Sequence, residues 1–189
     1  MWALTGDSSK SWCEGRGWRL DEQGHPTLDF AHRLTAEFSE ISWSKLNWFG
    51  EFLASQLDSF DNRLLWITQW GVWQSSENLH LFYRFRESYG EKRRLWEAPA
   101  HEFLKHETSD LATFIQLALL CGWDFYILNS APSAVAIFVS HDEFVEFHTN
   151  DPNKVREIEA ALVPPNLAVT IEHRDDFGEG GRGGPGTTT

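Results

Sequence analysis

The densest group of ionisable side chains lies in residues 140–148, where two histidines and three carboxylates occur within nine residues. Asp142, Glu146 and His148 share one face if this segment is a strand, because alternate strand residues point to the same side. Such oxygen and nitrogen ligands suit Zn or Mn, but no second cluster with matching spacing occurs in the sequence. We therefore predict a turn and a strand without a metal, in which Asp142 and Glu143 are binding residues.

A second group of charged residues, His80, Arg84 and Arg86, lies on one face of a predicted strand and precedes a basic stretch. Two guanidinium groups beside aromatic rings could hold a carboxylate or phosphate through paired hydrogen bonds. Combined with the 141–148 cluster, they could form an acid/base pair with an anion clamp, as in an enzyme or a small-anion binder. The simpler interpretation is that these arginines pair with carboxylates of that cluster on the exposed face of the sheet.

Other catalytic signatures are missing from the sequence. His101 and His106 are five residues apart, which rotates their rings about 140° apart on a helix, so they do not match a zinc-protease pair. No glycine-rich phosphate loop follows a predicted strand, and no nucleophile elbow occurs. Cys13 lies in a polar segment and Cys121 ends an apolar helix, so neither thiol resembles an activated nucleophile. We expect no cofactor.

The chain is rich in tryptophan, with ten Trp in 189 residues. The apolar runs 64–73 and 79–86 are joined by a polar connection at 74–78, and the second run alternates with a period of two. We predict an aromatic β-hairpin here, because a helix would place the charge of Arg86 inside its apolar arc. Trp is also enriched at binding hot spots, so Trp70 and Trp73 are candidate binding residues.

The remaining patterns predict the rest of the fold. Together they indicate an α+β domain with a mainly antiparallel sheet of about 5–7 strands and about three helices packed on one face. The elements are a helix near 43–58, a strand within 95–104, a helix from about 108 that ends at Gly122, a hairpin of 125–129 and 134–140 around 131–133, a strand at 144–148, a helix that begins at Asp151-Pro152 and ends near 162, and a strand at 167–172.

The domain organisation follows from composition. Residues 1–25 show neither a helical nor a strand period, so we predict a loose or peripheral segment, whose Trp12 and Trp18 either pack on the domain or bind a partner. Residues 26–175 form the predicted single domain. Residues 176–189 are rich in Gly and bury too little apolar surface to offset their ordering entropy, so we predict disorder there.

The charge of the chain limits its partners. A net charge of -12 and a pI near 5.0 argue against nucleic acid and against anionic membrane surfaces. An acidic surface suits solubility or a basic partner, and a homodimer is compatible with it. The sequence has no secretory leader and no apolar run long enough to span a membrane, and two cysteines make no disulfide framework, so we predict a cytoplasmic protein.

The predicted order of elements over residues 40–162 resembles that of the secretion-chaperone type of fold, whose small acidic members bind protein partners. Acidic immunity or inhibitor proteins that mask a basic toxin surface fit the same charge. We therefore predict a non-enzymatic acidic protein-interaction domain, with the enzyme or small-anion binder built on His80, Arg84, Arg86 and the 141–148 cluster as the alternative.

Overall fold

The computed structural model describes residues 1–38, 43–70, 79–132, 134–162 and 168–173. Within these residues eight strands form one sheet: β1 (Trp2–Leu4), β2 (His32–Glu37), β3 (Asn62–Gln69), β4 (Ala100–Leu104), β5 (Asp124–Asn129), β6 (Val135–Val139), β7 (Phe144–Thr149) and β8 (Ala168–His173). They pair in the order β1-β4-β3-β5-β6-β7-β2-β8, and every neighbouring pair is antiparallel.

The described residues also form five helices: α1 (Gly6–Gly15), α2 (Trp43–Ser55), α3 (Leu79–Ser88), α4 (Thr108–Leu120) and α5 (Pro152–Leu162). Local chemistry sets several of their ends. The Thr5 hydroxyl accepts a hydrogen bond from the Ser8 amide and caps α1. Asp151 precedes the proline that begins α5, and its carboxylate accepts from the Asn153 amide. None of the described helices is long and apolar enough to cross a membrane.

The sheet is covered on both faces. Helices α2, α3, α4 and α5 pack on one face and form the main core with inward side chains such as Leu65, Ile67 and Ile127. Trp12 and Trp18 pack on the opposite face against alternate side chains of the same strands, which include Leu64, Trp66 and Leu128. Because successive strand residues point to opposite faces, each of the central strands contributes to both clusters.

The predicted α+β class with a mainly antiparallel sheet is confirmed. The described part of the chain holds five helices rather than about three, and α1 packs on the face opposite the other four. The predicted helices at α2, α4 and α5 and the predicted strands at β4 to β8 are present. Gly122 has φ of 63°, in the left-handed region that favours glycine, and it follows α4 as the sequence predicts.

The prediction that residues 1–25 are loose or peripheral is wrong. Strand β1 pairs with β4, and α1 packs Trp12 and the fully buried Cys13 into the second cluster. The Trp18 indole donates to the backbone carbonyl of Asn129 at 3.0 Å. The helical period of α1 is hard to recognise in the sequence, because a few large rings rather than a repeating apolar pattern pack this segment on the sheet. The Gly-rich segment 176–189 lies outside the described residues.

The predicted aromatic hairpin of residues 64–73 and 79–86 is wrong in its second half. Residues 79–88 form α3, and β3 pairs with β4 and β5 instead. Phe82 is fully buried, and Arg86 is buried beside it. Nη2 donates to the Ala98 carbonyl at 3.0 Å and the guanidinium lies near aromatic rings, so these contacts offset part of its charge. The order of elements that resembles secretion chaperones is therefore not the order of this fold.

Candidate functional site

A pocket of about 410 Å³ lies at one end of the sheet. Strand β6 ends here and β5 and β7 begin here, since Val139 pairs with Phe125 on one side and with Val145 on the other. We call this cavity the sheet-end pocket. Its lining consists of Phe38, Leu119, Gly122, Trp123, Ser140, His141, Asp142 and Glu143.

The turn between β6 and β7 positions the two exposed carboxylates of the pocket. The Ser140 amide donates to the Phe144 carbonyl at 2.9 Å, and the Asp142 amide donates to the Ser140 hydroxyl oxygen at 3.1 Å. Glu143 has φ of 64°, which turns the chain back into β7. Its carbonyl accepts from the Phe38 amide at 2.8 Å. The turn is thus fixed to the end of β2, and Asp142 and Glu143 stand at the pocket wall.

Asp124 holds the histidine of the pocket in place. One oxygen, Oδ1, lies 2.6 Å from the backbone nitrogen of His141 and 2.6 Å from its Nδ1. The other ring nitrogen, Nε2, lies 3.5 Å from Oδ1 of Asp142. These contacts raise the pKa of His141, first through the hydrogen bond with Asp124 and then through the negative charges of both carboxylates. The arrangement favours the protonated imidazolium.

The pocket wall is acidic. When His141 is protonated, its single positive charge faces the carboxylates of both Asp124 and Asp142, so these three side chains together with Glu143 keep two net negative charges. The described lining contains no Lys or Arg. Phe38 and Trp123 add aromatic surface to the same wall. Two carboxylates beside aromatic rings form an environment that favours an organic cation.

One of the two predicted tryptophan sites lies at this end of the sheet. Trp70 directly follows Gln69, which pairs with Asp124 across β3 and β5. Its side chain is 37% exposed. Trp73 belongs to residues 71–78 and lies outside the described residues. The structure thus brings Trp70, Asp142 and Glu143 to one end of the sheet.

The predicted anion clamp is not formed. Arg84 and Arg86 are two residues apart on α3, which separates their directions by about 200°. Arg84 and His80 are exposed, whereas Arg86 is fully buried. The prediction that Arg84 and Arg86 share one face is therefore wrong, because the segment is a helix and not a strand.

The other half of the acidic cluster lies away from the pocket, on the face of the sheet that α1 covers. Glu146 accepts from Arg33 at 3.3 Å and lies 3.0 Å from Nε2 of His148. The His148 ring packs near Phe30, with 6.0 Å between ring centroids. His148 is buried, because Phe30 packs over its ring.

Asp124 is the site residue that the sequence reasoning missed. A hairpin centred on Pro132 places residue 124 opposite residue 140, and the observed register of Phe125 with Val139 follows this rule. The predicted turn at 131–133 was therefore sufficient to predict that residue 124 lies opposite residue 140. Combining it with the acidic cluster would have placed Asp124 beside His141.

Among the described residues, no group of three or more His, Cys, Asp or Glu side chains is arranged to hold a metal ion. Comparison of the chain with family models, with curated proteins and with solved structures gives no match.

Proposed function

We propose that this chain is a non-enzymatic protein-interaction domain that binds a basic segment of another protein at the sheet-end pocket. The observation that carries the proposal is the composition of the pocket wall. Asp142 and Glu143 are exposed there without a Lys or Arg in the described lining, and Phe38 and Trp123 lie beside them. A lysine or arginine side chain complements such a wall in both charge and shape.

The charge of the whole chain supports this choice of partner. A net charge of -12 attracts a basic segment over long distances and speeds its encounter with the domain. The local carboxylates would then select the bound position, because charge complementarity contributes mainly to association rate and specificity. The same net charge disfavours an acidic partner or nucleic acid.

Trp70 extends the proposed surface with an aromatic ring. It is partly exposed beside the strand end that carries Asp124. The more exposed Trp96 differs, because the Arg94 guanidinium already lies over its ring at 5.0 Å. Trp70 has no such cation among the described residues, so its face is the better candidate for a partner's cation.

A second candidate function rests on the Asp124 and His141 contact. An imidazole held by a carboxylate through Nδ1 is suited to acid/base chemistry on a small ligand. We rank it second because the His141 ring makes no hydrogen bond to the Ser140 hydroxyl, which is the only hydroxyl in the described lining. The anion clamp that would complete the enzyme alternative is also divided between a buried and an exposed arginine.

The proposal is tested by calorimetric titration with a lysine-rich peptide and with the same peptide carrying norleucine in place of lysine. We expect the charged peptide alone to bind. The double variant Asp142→Asn/Glu143→Gln should lower its affinity about tenfold, because the two uncompensated charges are removed. Trp70→Ala should lower it by a smaller factor of about three.

The matched control is Glu14→Gln/Glu87→Gln, which removes the same charge from exposed positions outside the pocket lining. It should retain most of the affinity. An equal loss in both double variants would mean that only the net charge attracts the peptide. Binding of the norleucine peptide with the same affinity would also contradict a cation pocket.

A further inference from the structure

Arg86 is a buried cation with few hydrogen bonds. Its side chain has no exposed surface, and Nη2 donates to the Ala98 carbonyl. Nε and Nη1 are buried without a hydrogen-bond partner among the described residues. The rings of Phe82 and Tyr83, at 5.7 and 5.6 Å from Cζ, offset part of the charge through cation–π attraction. Rings cannot replace an acceptor for every N–H group.

The acidic side chain that acts on Arg86, Glu91, does not supply that acceptor. Glu91 attracts the Arg86 charge electrostatically, but its carboxylate accepts from the backbone N and the Nε and Nη2 groups of Arg93. Because Glu91 pairs directly with Arg93, Arg86 has no directly paired carboxylate among the described residues, and direct pairing does not balance its charge. A buried charge without a partner is strongly unfavourable.

His101 adds two more unused polar atoms to the same region. It is fully buried, and neither ring nitrogen has a hydrogen-bond partner among the described residues. Its ring lies 6.2 Å from Phe82, the ring that Arg86 also approaches. Burial and the positive charges of Arg86 and Arg93 hold the pKa of His101 well below its usual value. The field around this ring is thus positive.

We propose that Arg86 and His101 hold a small monovalent inorganic anion of the halide class between α3 and β4. The anion accepts hydrogen bonds from the unused N–H groups of Arg86 and from an N–H of His101, and it balances the uncompensated charge. A halide suits this position because it accepts hydrogen bonds from several directions and donates none. The site is separate from the sheet-end pocket and does not depend on its proposed function.

The test measures thermal unfolding while sodium bromide replaces sodium gluconate at constant ionic strength. For a dissociation constant of about 10 mM, the melting temperature of the intact chain should rise by about 4–7 °C up to about 200 mM bromide. Arg86→Met should lose this rise. The exposed Arg84→Met on the same helix is the matched control and should keep it.

Two further measurements keep the proposal falsifiable. Bromide NMR line broadening on the intact chain reports binding directly and needs no variant, so it applies even if Arg86→Met fails to fold. His101→Leu, which removes one donor, should weaken the broadening. The proposal would be overturned if bromide did not change the melting temperature of the intact chain and the intact chain did not broaden the bromide NMR signal. An equal response in Arg86→Met would overturn it too, since the binding would then be non-specific.

Discussion

Among the described residues two arginines are fully buried, and they are stabilised in different ways. Arg63 lies in β3, and its Nη1 donates to the Asp58 carboxylate at 3.3 Å and to the Thr108 hydroxyl at 2.8 Å, while Nη2 donates to the Leu104 carbonyl. Arg86 has one carbonyl acceptor and two aromatic rings. Of these two arginines, only Arg63 forms an ion pair with a carboxylate among the described residues.

The difference shows that burial alone does not define the role of a charged residue. The network of Arg63 connects α4, the end of β4 and the segment after α2, so it ties the fold together. Arg86 contributes few bonds to the fold and carries an unbalanced charge. Removing the first should therefore weaken the protein, and removing the second should not.

The largest expected effect comes from the ring beside Arg86. Phe82 is fully buried, and its ring centroid lies 4.7 Å from Trp123 and 4.8 Å from Phe114. Phe82→Ala should lower the free energy of unfolding by about 3–5 kcal/mol, because it creates a cavity and removes a cation–π partner. Urea unfolding followed by circular dichroism measures the change.

The matched comparison for this variant is Phe85→Ala on the same helix, where the ring is only partly buried. We expect a smaller loss there. An equal loss at both positions would mean that the packing of α3 does not depend on the buried ring.

The comparison of the two arginines is tested directly by replacing each with methionine. Arg63→Met should lower the free energy of unfolding by about 2–4 kcal/mol, because Leu104 and Thr108 lose a charged donor. Arg86→Met should change it by less than about 1 kcal/mol in halide-free buffer, or raise it, because an uncompensated charge is removed. Urea titrations of both variants and the parent chain give these values.

A loss in Arg86→Met as large as that in Arg63→Met would contradict the comparison. It would mean that the rings and the single carbonyl stabilise the buried guanidinium as fully as the carboxylate network does.

The smallest effects concern two histidines that differ as the two arginines do, since only one of them contacts a carboxylate. Neither ring nitrogen of His101 has a hydrogen-bond partner among the described residues, and the pKa of His101 is lowered. His141 contacts Asp124, and its pKa is raised. Below about pH 6.5, His101 therefore binds a proton more readily in the unfolded chain than in the folded one. The free energy of unfolding should fall there as pH decreases. Folded His141 keeps its proton above that pH, so its contribution should be lost as pH rises further.

Stability measured by urea unfolding from pH 5 to 9 should therefore show two slopes with separate origins. His101→Leu should flatten the slope on the acidic side, and Asp124→Asn should flatten the slope on the alkaline side. NMR titration of the His141 ring gives its pKa directly. An unchanged His141 pKa in Asp124→Asn would show that the contact does not control the proton.

Much of the fold could be predicted from local signals. The hairpin of β5 and β6 follows from apolar runs around Pro132, and α5 begins where Asp151 and Pro152 predict it. Helix α3 could not be predicted by the same reasoning, because its deciding residue, Arg86, breaks the rule that apolar arcs exclude charge. The carbonyl that allows this exception belongs to Ala98, which lies twelve residues beyond Arg86 in the sequence and outside the helix pattern itself.

The candidate site was predictable in part. Asp142 and Glu143 stand out by charge density in the sequence, and both line the pocket. Their relation to Trp123 and Phe38 depends on which strands are neighbours in the sheet. The order of the strands is set by the packing of whole helices, so it cannot be predicted from the sequence of a single segment.

The N-terminal helix also provides a chemical reporter of its own detachment. The Cys13 thiol of α1 is fully buried in the cluster between this helix and the sheet, and this burial raises its pKa to about 12. Alkylating reagents react with the thiolate, so in the closed state both access and ionisation oppose labelling. The labelling rate of Cys13 therefore reports how often α1 separates from the sheet. It can be followed by mass spectrometry without adding a probe to the chain.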